Sequence, residues 1–208
     1  MDSLLLKNGS ISGKNALLAV VCDGVGSVAD GAFASGAAIK MLSDWFSNEA
    51  TAGRIGIKLR DAVLEINAHV RLASKKNNLD AASTLSALLL VENDYYVAHI
   101  GDSRIYCYEN GNLSILTTDD VSGSGKLTAC IGHSDDIFVQ YYEGSATGKI
   151  FLICSDGLYR RMDESYMMAK MKSWNKKLLQ EPMESLPQYV AQRGEQDNIS
   201  IALVKIES

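Results

Sequence analysis

The chain has 208 residues, 47% of them hydrophobic, enough to bury one sizeable core in a single domain. Its 25 acidic residues against 20 Lys and Arg leave a net charge of −5, which argues against nucleic acid as a general partner. No apolar run approaches the ~18 residues a membrane span needs, and "MDSLLLKNGS" at the start carries too little for a signal peptide.

In chain order, the first strong signal is the apolar run 17–22, which predicts a buried strand. Phe33, Ala37, Met41 and Trp45 then recur at helical spacing, and Leu59, Ala62, Val63, Ile66 and Val70 make a second apolar helix face. Strands are predicted over 85–91 and 95–100, with Asn93 and Asp94 as the turn between them. Another follows over 105–108, with Asn110 and Gly111 as a second hairpin turn. Residues 150–154 read as a further interior strand. Met167, Met171, Trp174 and Leu178 form a third helical face, a core stripe rather than a cofactor box. A last strand is predicted over 199–206. Successive hairpins favour an antiparallel sheet, and strands and helices in separate blocks predict an α+β layered fold.

The cysteines at 22, 107, 130 and 154 show no paired metal-ligand spacing. Cys22 and Cys154 sit in apolar runs and read as small core residues, so a reducing, cytoplasmic location is expected.

Acidic residues stand at the ends of these strands. Asp23 closes the run 17–22, Asp102 follows 95–100 in "HIGDSR", Asp156 follows 150–154 in "LICSDG", and Asp197 precedes the last strand in "EQDN". A single Asp–Gly corner is ordinary turn chemistry. If these strands lie side by side, antiparallel pairing brings the four corners to one edge, where partly buried carboxylates repel one another. Mg²⁺ or Mn²⁺, which take oxygen ligands, resolve that conflict, and a glycine after Asp23 and Asp156 lets backbone approach an ion.

The segments "VCDGVGS", "STLSALLL", "AHIGDSRIYCYENGNLSILTTDD", "LTACIG", "LICSDGL" and "DNISIALV" occur in that order across residues 2–206. Together they resemble the metal-dependent serine/threonine protein phosphatases of the PPM, or type 2C, family. The resemblance implies a four-layer α/β/β/α sandwich of two mostly antiparallel sheets flanked by helices, with the site at one edge. It implies that Asp23 bridges two Mn²⁺ or Mg²⁺ ions, with the Gly24 carbonyl on one of them and Asp156 and Asp197 completing the other. Asp102 corresponds to a residue that helps hold a weaker third ion, and Asp119 to a more distant member of the site. The implied chemistry is hydrolysis by a metal-bridging water, without a protein nucleophile. The implied partner is a phosphorylated protein, the product of a serine/threonine kinase. Neither nucleic acid nor a membrane is expected, and a monomer is. His99 is read as structural, and His69 and His133 are scattered.

The chain departs from the family pattern at its start. Asp2 aligns with the D of an "N-E-D" segment, Met1 falls on the Glu, and the preceding phosphate-gripping Arg has no counterpart. That departure suggests an alternative, a catalytically impaired binding or regulatory module. Val25 stands where many eukaryotic members have His, and the segment 121–126 before "LTACIG" is short. A rival chemistry lies in "CSDGLYR", where Cys154 and Arg160 match the C-x₅-R cradle of cysteine-dependent phosphatases. Asp156 inside that loop would repel a phosphate dianion and disfavour the thiolate.

Overall fold

Residues 16–22 are apolar on both sides because two layers cover the strand they form. The computed structural model describes residues 1–49, 53–173 and 180–206. In chain order these form β1 (Asp2–Ile11), β2 (Lys14–Asp23), α1 (Gly31–Asn48), α2 (Ile55–Asn77), β3 (Leu85–Val91), β4 (Asp94–Ile100) and β5 (Arg104–Glu109). There follow β6 (Asn112–Ile115), β7 (Gln140–Ser145), β8 (Ile150–Cys154), α3 (Asp156–Tyr159), α4 (Glu164–Lys172), α5 (Gln180–Gln192) and β9 (Ile201–Lys205).

The strands make two antiparallel sheets, ordered β1-β2-β3-β4-β7 and β6-β5-β8-β9. Leu18, Val20 and Cys22 of β2 point towards α1 and α2, while Ala19 and Val21 point towards the other sheet. Phe151 and Ile153 of β8 meet them from the far side, with Tyr95 against Phe151 at 5.2 Å between ring centroids. Leu152 and Cys154 face outward onto Met167 and Met171 of α4 and Leu186 and Val190 of α5. The expected α+β, α/β/β/α layering holds. Each fully buried Phe or Leu side chain contributes about 1.5–3 kcal/mol, so the doubly covered strands anchor the fold.

Several boundaries differ from expectation. The turn between β3 and β4 is Glu92 and Asn93, with Glu92 in the left-handed region at φ 52°, and Asp94 already pairs with Val91. The second hairpin does turn on Asn110 and Gly111, at φ 50° and 87°. The last strand is shorter than 199–206. In α1 the buried stripe is Ala34, Ala38, Leu42 and Phe46, and Phe33 remains 36% exposed. Both stripes have four-residue spacing, so periodicity alone does not choose between neighbours. The α2 face is buried as expected.

Two strands escaped the sequence reading: β1, whose Leu4 and Leu6 are exposed and whose second half is mostly polar, and β7, which lacks an apolar run. Helix α5 also escaped it, since Pro187 lies inside. Burial of Leu186 and Val190 offsets the ~3 kcal/mol that an interior proline costs. The expected stripe through Trp174 and Leu178 lies outside the described residues.

Candidate metal centre

The acidic corners meet because strand ends alternate in an antiparallel sheet. Cys154 of β8 pairs with Ile201 of β9, so the chain leaving β8 at Asp156 runs beside the chain entering β9 through Asp197. The approach is close: a Cβ on Gly157 would stand 2.2 Å from the Asn198 carbonyl oxygen and 3.4 Å from Asp197 Cβ. On the other flank of β8, Arg104 of β5 pairs with Cys154, which brings Asp102 to the same edge. Asp23 ends β2 in the facing sheet, and its charge and that of Asp156 affect one another.

The sequence reading did not place Asp2 in the site. It lies opposite Asp23 in the β1–β2 register. The one signal for it was the alignment of "MDS" with the family's segment, since β1 was not recognised as a strand.

Each of the central carboxyls is hard to ionise here. Burial, then the charges of Asp2 and Asp156, push Asp23 from an ordinary 3.8 to about 8. Burial also raises Asp156, to about 6; Arg160 pulls against it, while Asp102, Asp197 and Asp2 add to it. Asp102 is raised as well, mainly by burial and against the pull of Arg160. Buried carboxyls that Arg160 and the Met1 amine compensate only in part favour a further cation.

The donor set fits a hard divalent ion. Both carboxyl oxygens of Asp2 and Oδ1 of Asp156 are buried without a hydrogen-bond partner among the described residues. Buried oxygens in that condition are costly unless a donor or an ion meets them. Among the described residues no three Asp, Glu, His or Cys side chains already close into a metal cage. Arg160 instead pairs with Asp156 and Asp197.

Gly24 has a packing reason of its own. A Cβ there would stand 2.6 Å from the Gly31 carbonyl carbon and 2.7 Å from the Met1 carbonyl oxygen. Its N–H donates to the Met1 carbonyl at 3.0 Å, and its own carbonyl accepts from the Met1 amine at 3.3 Å.

Asp119 is neutralised by Arg104, which donates from Nε at 3.0 Å and from a terminal nitrogen at 2.7 Å. The same guanidinium lies 3.6 Å over the Tyr159 ring, and the Tyr159 hydroxyl donates to the Asp102 carbonyl at 2.8 Å. His99 is buried against Ser86, Gly101 and Thr118, as a structural histidine should be. His69 and His133 are exposed. Cys154 has no access to solvent, and burial pushes its thiol up to about 12. Arg160 serves Asp156 and Asp197 rather than a thiolate loop, which disposes of the cysteine chemistry.

A stacked pair of antiparallel sheets, helices outside and unsatisfied carboxylates at one edge, defines a metal-dependent hydrolase. The protein phosphatase 2C family model matches residues 2–197, and the chain belongs to that family of metal-dependent serine/threonine protein phosphatases. Serine/threonine phosphatase stp of Listeria monocytogenes is 29% identical over 219 residues, covering 92% of this chain and 85% of that protein. PstP of Mycobacterium tuberculosis is 25% identical over 213 residues, covering 92% of this chain and 40% of its own length. The crystal structure of Stp1 from Staphylococcus aureus matches with a TM-score of 0.89, covering 100% of this chain and 89% of that one. At 19% identity that likeness speaks for the fold alone. Among the described residues no helix is long and apolar enough to cross a membrane.

Proposed function

We propose that this chain hydrolyses phosphoserine and phosphothreonine in proteins at the acidic edge, as one catalytic domain. Asp23, Asp156, Asp197 and the Gly24 carbonyl hold two divalent ions, Mn²⁺ or Mg²⁺, and Asp102 stands at the place of a weaker third. Asp2 joins them from the strand beside Asp23. The observation that carries this reading is the set of oxygens on Asp2 and Asp156 that are buried without a hydrogen-bond partner among the described residues, beside a carboxyl, Asp23, raised to about 8. When bound, such ions lower the pKa of water and offset the charge of a phosphate.

The chain's own residues supply binding and orientation. Asp156, with its side chain 7% exposed, anchors the floor, and Asp197, 48% exposed, lies at the mouth where a phosphorylated side chain enters. Ser155 and Cys154 are buried, so neither offers a nucleophile to the substrate. Arg104 and Tyr159 hold the backbone of Asp102 in place. The substrates are phosphoproteins made by a serine/threonine kinase, and the enzyme works in the cytoplasm as a monomer.

The test is turnover of p-nitrophenyl phosphate and of a phosphothreonine peptide by the purified chain. Activity should rise with Mn²⁺, vanish in chelator, and fall by roughly 100-fold or more in Asp156→Asn. Turnover that survives chelation would overturn the metal reading. Retained Mn²⁺ binding without turnover would favour the impaired binding module instead.

A further inference from the structure

Arg160 caps the short helix α3, four residues after Asp156. One terminal nitrogen contacts Asp156 Oδ2, and the other lies 3.7 Å from Asp197 Oδ2. The guanidinium therefore spans the two carboxylates that arrive from opposite sides of the β8–β9 junction. Its side chain is 53% exposed, so it reaches the pair from the solvent side, while Asp156 Oδ1 stays buried without a hydrogen-bond partner among the described residues. Its neighbour Arg161 has different company: Nε lies 3.6 Å from Glu195 and a terminal nitrogen donates to the Arg193 carbonyl.

We propose that Arg160 is a positioning residue that competes with the divalent ion for Asp156 and Asp197, and so sets how tightly this pair takes a metal. The inference rests on the metal reading given above. The guanidinium pairs closely with Asp156 and, at 3.7 Å, as a longer ion pair with Asp197, and an ion that takes the same oxygens must displace it. Binding thus includes the cost of breaking a half-exposed ion pair, which lowers apparent affinity. Release moves the guanidinium outward, a motion its exposure permits without disturbing the core.

The experiment is calorimetric titration of Mn²⁺ into the full chain, stripped with chelator, for wild type, Arg160→Gln, Arg160→Lys and Arg161→Gln. Arg160→Gln should bind Mn²⁺ about fivefold more tightly, the scale of one half-exposed ion pair. Arg160→Lys, which keeps the charge but not the fork, should fall between wild type and Arg160→Gln. Arg161→Gln removes an equal charge next door, and its affinity should change by less than about twofold. A damaged fold cannot tighten binding, so a gain in Arg160→Gln that Arg161→Gln does not share marks competition. Unchanged or weaker binding in Arg160→Gln overturns the inference, as does an equal gain in Arg161→Gln. Mn²⁺ binding to none of the four overturns the metal reading itself, and the inference with it.

Discussion

Asp2 and Asp23 face each other across β1 and β2, paired in register at the open end of the ladder. Like charges directly opposite on a sheet repel, and here both residues are partly shielded from water. A purely structural strand end has no use for such a pair. Under the function proposed above, a divalent cation is what this pair would meet.

That relationship sets a pH dependence. The folded protein keeps the proton on Asp23 up to about pH 8, while an ordinary carboxyl releases it near 3.8. Between those values the folded state binds more protons than the unfolded one, so stability is lost as pH rises. The melting temperature of the chelated protein should fall between about pH 5 and about pH 8, and Asp23→Asn should flatten that slope. Mn²⁺ should restore stability to wild type at the upper end and not to Asp23→Asn. A chelated wild type that gains stability over the same range would contradict the burial of Asp23.

Gly157 tests the closeness of the two chain segments that carry Asp156 and Asp197. A methyl group there meets the Asn198 carbonyl oxygen at 2.2 Å, so the entry to β9 must shift. Overpacking of this kind costs about 1–3 kcal/mol. Gly157→Ala should lower both the urea midpoint and the affinity for Mn²⁺, because Asp197 moves with Asn198. Gly148, at φ 73° with nothing within 4 Å of a built Cβ, is the control. Gly148→Ala should cost about 1 kcal/mol of stability through backbone strain and leave Mn²⁺ binding unchanged.

The Arg104 clamp should behave as a unit. Tyr159→Phe removes one hydrogen bond to the Asp102 carbonyl and should cost about 1 kcal/mol. Arg104→Ala leaves Asp119 without its charged partner and should cost about 2–3 kcal/mol. The double variant should cost less than the sum, since Tyr159 stacks on the residue already removed. Urea unfolding of the four proteins checks this. Strict additivity would mean that the two residues act separately.

Much of the frame was legible in the sequence. Runs such as 87–91 are apolar at every position because the strand is buried on both faces, and that pattern survives without any knowledge of neighbours. The Asn110–Gly111 turn was legible because only a few residue types tolerate two successive left-handed positions. Strand β7 was not, since "QYYEGS" is held by pairing with β4 rather than by its own hydrophobicity. The stripe of α1 was misplaced by one residue, because two parallel stripes differ only in what they pack against.

The site divides in the same way. Asp23, Asp102, Asp156 and Asp197 announced themselves as acids where apolar strands end, a local pattern that composition and order preserve. Their convergence, the addition of Asp2 and the guanidinium that spans Asp156 and Asp197 were decided by register and by the meeting of two sheet edges. A sequence determines which side chains leave the core and where along the chain they do so. Only the tertiary structure determines which of them share a space, because antiparallel pairing joins residues as distant as Arg104 and Cys154, just beyond which lie Asp102 and Asp156, or Asp2 and Asp23, in a register that no local pattern records.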